Sequence, residues 1–309
     1  MKKKVLVLLV TFLVIGASLF AAPHKIGILA PAVTHGWSAG VAYYAEQRCE
    51  ELEAEGVIDY MIYTSNNSDE MTTQLDDLIL WGAEAIVAFP QWTGMEVPIQ
   101  NAINMGIVVV NFDIEIAAEG VYRVSGDNYN MGEEGAKYIV DKIGPEGTVV
   151  ILDVPTSGSV AELRKAGFLD TLAEIAPNME VLTYATQFTR EAGLADMADI
   201  LVANDHIDAV YSMDDETSIG ALQAIREAGR TDIKAITGGG GCQEYFNMMP
   251  EYEDIWVESA LYSPDMVMEA VDMAVDILDG KEVEQVMIIP TTVVDRTNYQ
   301  DFIDPNSPY

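Results

Sequence analysis

"KIGILAPAVTHGWSAGVAYYAEQRCEELEAEG", residues 25–56, joins a short apolar run to a long helical one that stops on a glycine. The run Lys25–Pro31 has the length and composition of a buried strand, whereas the stretch from Ser38 carries apolar residues at helical spacing and ends at Gly56. The same pairing then recurs: "VIDYMIY" precedes a helix through "EMTTQLDDLILWGA", "AIVAF" precedes "MEVPIQNAINMG", and "IVVVNFD" closes the series. Pro98 is expected in the first turn of its helix or at a slight bend. Strands alternating with helices of ten or more residues predict parallel βαβ units in a doubly wound sheet.

The rhythm restarts at "GTVVILDV", followed by the helix "VAELRKAGFLDTLAEIA", "EVLTYA", a helix over 191–203, "IDAVYSM", a helix over 217–229 and "IKAIT". Two α/β lobes follow, each with its own sheet. A late helix, "PDMVMEAVDMAVDILDG", comes after the second sheet is complete, so the chain is expected to recross to the first lobe. No Pro/Ser-rich linker separates the halves, which favours several short crossings over one tether.

Open α/β sheets bind ligands outside the carboxyl ends of their strands. The segments there are "PAVTHGW", "NNS", "PQWTG" and "DIE" in the first half, and "PTSGSVAE", "TQFTR", "MDDET" and the glycine run "TGGGGC" in the second. They gather Trp37, Trp92 and Phe188 with His35, Gln91, Asp113, Glu162, Asp214 and Asp215. Aromatic faces stack on the C–H surface of a polyhydroxylated ligand, while carboxylates and amides take its hydroxyls. Singly, Trp92 or Phe188 suits a core position equally well, and Asp215 suits a helix cap. The glycine run lies too late for a dinucleotide fingerprint and lacks the Lys-Ser/Thr pair of a phosphate loop. It is expected at the cleft rim, where backbone approaches ligand or helix. Cys242 has no activating His in its motif and is read as incidental.

Sixteen Lys+Arg against 50 Asp+Glu give a formal charge of −34, which repels nucleic acid and anionic lipid. Half the chain is apolar, so it buries a core; the acidity describes a strongly solvated surface. Lys2–Lys4, the apolar run "VLVLLVTFLVIGASLF" and the small residues after it form a secretory signal peptide, with cleavage expected after Ala21 or Ala22. No cysteine follows that run to carry a lipid, and a soluble exported protein of this kind suits a periplasm. Cys49 and Cys242 are expected as two unpaired thiols. No Cys/His cluster has metal spacing, and no cofactor is implied.

From Lys25 onward the chain resembles the ribose/galactose-type periplasmic binding proteins of ABC importers. The resemblance rests on "KIGILAPAVTHGW", "GIVVVNFD", "VSGDNYNMGEEGAKYI", "AELRKAGF", "DAVYSMDDETSIGALQAIREAG" and "IKAITGGGG" in this order. It implies the type I fold, with two Rossmann-like lobes joined by three crossings near Gly126-Asp127, Tyr262-Ser263 and Ile289-Pro290. The lobes would be 23–126 with 263–289 and 127–262 with 290–309, after the leader 1–22. Carried over by resemblance, Trp37 stands at the sugar-stacking aromatic, His35 at a polar position often Asn, and Asp113 at the hydroxyl-accepting aspartate. Phe188 falls at the second-lobe aromatic, and Asp214 just before a common Asp or Asn. Ile114 and Glu162 replace arginines, Gly239 replaces a loop aspartate, and Tyr262 replaces a hinge Gln or Asn.

Together these readings predict a monomeric solute-binding protein that closes on a small neutral sugar or polyol and delivers it to an inner-membrane permease. A chemoreceptor is a second possible reader of the closed form. With Asp113 and Glu162 facing the cleft from opposite lobes, Asp214 nearby and neither of the arginines that the resemblance implies in place, phosphorylated and carboxylated ligands are expected to be refused. A secreted hydrolase fits less well, because Asp214 and Asp215 are adjacent on one strand end and cannot flank a glycosidic bond. A sugar-responsive repressor would need a basic DNA-reading module where the leader stands.

Overall fold

The computed structural model describes residues 22–33 and 36–309; the leader up to residue 21 and His35 fall outside them. The first half runs β1 (His24–Pro31), α1 (Gly36–Ala54), β2 (Ile58–Ser65), α2 (Ser68–Trp81), β3 (Ala85–Ala88), α3 (Glu96–Asn104), β4 (Val108–Phe112) and β5 (Tyr122–Gly126). Next come α4 (Asn128–Ile143), β6 (Thr148–Asp153), α5 (Ser159–Ile175), β7 (Glu180–Ala185), α6 (Arg190–Ala203), β8 (Ala209–Ser212) and α7 (Asp215–Glu227). Then follow β9 (Ala235–Ile236), α8 (Gln243–Met248), β10 (Trp256–Ala260), α9 (Val267–Leu278), β11 (Val286–Ile289) and β12 (Val293–Asp295).

Two six-stranded sheets result, ordered β2-β1-β3-β4-β5-β11 and β7-β6-β8-β9-β10-β12. The first is parallel throughout, and the second is parallel except for β12, which pairs antiparallel with β10. Both place their first strand between the second and third, so each has a topological switch point where helices leave in opposite directions.

The inner strands β1, β3, β4, β6 and β8 are buried on both faces, which is why they read as continuous apolar runs. In β3, Ala85 and Val87 face a core shared with α1 and α9, while Ile86 and Ala88 face one shared with α2 and α3. In the second sheet, Val150 and Leu152 of β6 face α6, α7 and α8, and Val149 and Ile151 face α4 and α5. The late helix α9 packs on the first sheet, against β3 and β4. The chain passes between the sheets three times: after β5, between β10 and α9, and between β11 and β12.

Helix ends are set by local chemistry. Asn67 caps α2 by accepting from the Glu70 amide at 2.9 Å, and Gly82 ends it in the left-handed conformation at φ 86°. Pro98 sits in the first turn of α3. In the second lobe, α4 meets α5 through Gly132 and Gly167. A Cβ at Gly132 would overlap the Arg164 carbonyl, and one at Gly167 the Tyr129 carbonyl. Gly193 of α6 and Gly220 of α7 make the same backbone-to-backbone contact, against the carbonyls of Thr217 and Arg190. No described helix is long and apolar enough to cross a membrane.

Candidate functional site

Residues that follow the strands of both sheets line one cleft of about 660 Å³. Its first-lobe wall is aromatic. Trp37, in the first turn of α1, stacks on Phe112 at 6.0 Å and meets the edge of Phe89 at 5.7 Å. Its indole N–H donates to the Tyr262 carbonyl at 2.6 Å. The ring also packs against the cores of both lobes. Gln91 lies at the mouth and donates to Ser38 Oγ at 2.6 Å.

Asp113 follows β4 with φ 66°, the left-handed conformation that no other described non-glycine residue adopts. Such a conformation costs about 1–3 kcal/mol unless its surroundings fix it. Arg123 does so, donating Nε at 3.2 Å and Nη2 at 2.9 Å to the Asp113 carbonyl. The buried Asp113 carboxylate accepts from the Tyr262 hydroxyl. Burial pushes its pKa up, against the Tyr262 bond and the Arg164 and Arg123 charges, which pull it down.

The Tyr262 hydroxyl is a hub between the lobes. Besides donating to Asp113, it accepts from Asn128 Nδ2 at 3.2 Å and lies 3.1 Å from Ser125 Oγ. Its ring lies so close to Gly126 that a Cβ there would overlap it. Arg164 stands over the same ring at 4.7 Å and over Phe188 at 5.9 Å. Its Nε donates to Asn128 Oδ1 at 2.8 Å and its Nη1 to the Met213 carbonyl at 2.6 Å.

Asp214 caps α7, its Oδ2 accepting from the Thr217 amide at 3.3 Å. Oδ1 is buried and has no partner among the described residues. Burial pushes this carboxyl up to about 7. Next to it, Asp215 turns away from the cleft and takes the amides of Gly241 and Cys242 at 2.9 Å and the Ser259 hydroxyl at 3.0 Å. The glycine run thus wraps an internal carboxylate, which leaves those amides closed to any phosphate. Gly239 and Gly240 still line the cleft. At the rim, Arg190 pairs with Glu216 and, at 2.7 Å, with Glu244.

Residues 26–282 match the family model of the periplasmic binding protein domain. The chain belongs to the periplasmic binding protein family. It is 28% identical over 246 residues to the ribose import binding protein of Bacillus subtilis, covering 78% of each chain. It is 29% identical over 194 residues to the xylitol-binding protein of Mycolicibacterium smegmatis, spanning 60% of this chain and 55% of that one. A solved ABC transporter solute binding protein of Mycobacterium smegmatis with bound glycerol superposes with a TM-score of 0.81 at 25% identity, covering 92% of this chain and 98% of that one. These relatives are binding proteins.

Within this periplasmic binding protein the expected residues separate. Trp37, Gln91, Asp113, Phe188, Asp214, Gly239 and Tyr262 all line the cleft. Two do not. Trp92, in the bend after β3, packs against the outer core shared with α2 and α3. Glu162 is exposed on α5, and Arg164, two residues on and about 200° around the helix, is the side chain that enters the cleft. The expectation that Glu162 faces the cleft in place of an arginine is therefore corrected: Arg164 lines it from the same helix, and Arg190 lines it too. Refusal of anions cannot rest on a missing arginine or on Glu162. His35 lies outside the described residues.

Of the polar lining residues, Arg164 and Tyr309 lie outside the strand-end segments, while Gln187 and Arg190 fall inside "TQFTR", where only Phe188 is singled out. For Arg164 a signal existed: Val160, Arg164, Gly167 and Phe168 fall at i, i+4, i+7 and i+8, the buried stripe of α5. Cys49 and Cys242 are both free and buried, and burial pushes each thiol up to about 12, so neither is a thiolate at neutral pH. The cleft therefore offers stacking faces, hydroxyl acceptors and a guanidinium. That is equipment for holding a polyhydroxylated molecule.

Proposed function

We propose that this protein is exported, captures one small neutral sugar or polyol between its lobes, and presents the closed form to an ABC importer's permease. One observation carries the choice of ligand class: the buried, partnerless Asp214 Oδ1 in a cleft walled by Trp37 and Phe188. A buried carboxylate oxygen left unpaired is costly, and a ligand hydroxyl is the donor that relieves it. Asp113 and Asp214 accept hydroxyls from the two sides, Arg164 donates to a ring or hydroxyl oxygen, and the aromatic faces cover C–H surface. Tyr262 fixes Asp113, and Gln91 closes the mouth. Four carboxyl groups line the cleft (Asp113, Glu191, Asp214, Glu216), Arg190 is already paired, and the Arg164 charge already acts on Asp113 and Asp214, so an anionic ligand gains little from the arginines.

A ligand that touches both lobes stabilises only the closed arrangement, which is what a permease or a chemoreceptor reads. The mature protein is a lipid-free monomer, cut after Ala21 or Ala22. A thermal-shift screen of pentoses, hexoses, pentitols and hexitols, with sugar phosphates and uronic acids as controls, tests the reading. A true ligand at a thousandfold excess over Kd stabilises by about 4 kcal/mol, a plain rise in melting temperature. A rise with an anionic sugar and none with a neutral one would overturn the proposed ligand class.

A further inference from the structure

Tyr309, the last residue of the sequence, is buried at 7% exposure and lines the cleft. It is brought there by the segment after the short turn Tyr299–Phe302. Gln243 staples that segment down. Its Nε2 donates to the Phe302 carbonyl at 3.3 Å, its Oε1 accepts from the Asp304 amide at 2.8 Å, and its own amide donates to the main-chain oxygen of Tyr309 at 3.1 Å. Ser307 Oγ donates to the same oxygen at 3.1 Å.

The ring packs in the second lobe's core, yet its Cβ lies 3.5 Å from where a Cβ on Gly40 of α1, in the first lobe, would stand. The hydroxyl reaches the glycine run: a Cβ on Gly240, itself at φ 137°, would come within 2.7 Å of it. So Gly240 is required twice, by its backbone and by the tyrosine beneath it. No described protein group exchanges a hydrogen bond with the Tyr309 hydroxyl, and it is not sealed off among the buried partnerless atoms. Burial, with the carboxyls of Asp215, Asp214 and Glu216 and the Cys242 thiol near, keeps the phenol protonated and therefore a donor.

We propose that Tyr309 is a ligand-contacting, specificity-determining residue: its hydroxyl donates to a ligand hydroxyl near Asp214, and its ring limits how large a ligand the cleft accepts. This rests on the sugar or polyol reading above. A ligand hydroxyl that gives its proton to Asp214 keeps its own lone pairs free, so it can take the Tyr309 proton at the same time. Acceptor and donor then select for an oxygen at that place on the ligand, and a deoxy analogue satisfies neither.

The test is calorimetry with ribose, xylitol and D-allose on wild type, Tyr309→Phe and Tyr309→Ala. Loss of one neutral hydrogen bond should weaken binding of the preferred ligand roughly three- to tenfold in Tyr309→Phe, with an unchanged melting temperature. Tyr309→Ala should shift preference towards the hexose, since the wall recedes. Should the alanine variant fold poorly, the phenylalanine variant still decides the matter. Wild-type binding with affinity and order of preference untouched in both variants would overturn this inference alone. Absence of binding to all three by wild type would overturn the cleft reading, and this inference with it.

Discussion

Replacing Asp214 by Asn should change how stability depends on pH rather than whether the protein folds. Burial raises the Asp214 carboxyl from its ordinary 3.8 to about 7, so the native state holds this proton more tightly than the unfolded chain. The sign follows. Below pH 3.8 both states are protonated and nothing is lost. As pH rises, the unfolded chain ionises first, and stability falls until the native carboxyl also ionises near 7. Three pH units at about 1.4 kcal/mol each give a loss of roughly 4 kcal/mol, complete above neutrality. Asn caps a helix about as well as Asp, so the Thr217 bond at the start of α7 survives the substitution. The wholly buried Glu258 contributes a slope of the same sign that is common to both proteins and cancels in the difference, whereas the Asp215 charge, one of the causes that raises Asp214, is relieved in the variant and adds to its gain. Urea unfolding of ligand-free wild type and Asp214→Asn at pH 4.5, 6, 7 and 8 measures it. The variant should gain on wild type by 2–4 kcal/mol across that range, roughly the share of the loss that falls within it. Parallel profiles would refute the burial of a titrating Asp214.

Three further outcomes are expected. Trp37→Ala should weaken sugar or polyol binding by roughly 1–3 kcal/mol through the lost stacking face, seen by calorimetry on a protein that still folds. Gly167→Ala should lower stability by about 1–3 kcal/mol or more in a denaturant titration, since its methyl would meet the Tyr129 carbonyl across the α4–α5 contact. Arg164→Met should weaken binding far more than Glu162→Ala, which should leave the calorimetric affinity unchanged because Glu162 is exposed on α5.

The alternation of strands and helices was legible because parallel strands covered on both faces are apolar on both faces, as β3 is throughout and β6 is from Val149 to Leu152. What escaped was the short α8, and β5 with α4. Strand β5 carries Arg123 and Ser125, whose polar side chains serve Asp113 and Tyr262, so it lacks an apolar run. Helix α4 opens on Asn128, Asn130 and Gly132, poor helix formers kept for the hinge hub and for contact with α5. At the cleft, strand ends located Trp37, Asp113 and Asp214 correctly in space. Strand-end position alone could not distinguish Glu162 from Arg164, since that depends on the rotation of α5. Nor could it find Tyr309, which reaches the cleft from the far end of the chain.

The paired glycines of α4–α5 and α6–α7 have a mechanical consequence. Arg164, Arg190 and Glu216 ride on α5, α6 and α7, and helices touching backbone to backbone leave no side-chain cushion that could yield. A pull on any of these groups is then transmitted to a stiff block. In the proposed closure the give is left to the three crossings between the sheets, and the lobe would turn as a lever. Its outer surface would therefore swing through the same arc whichever hydroxyl did the pulling. On the proposed function, recognition would then be confined to the cleft, while the outside would signal only that the cleft is full.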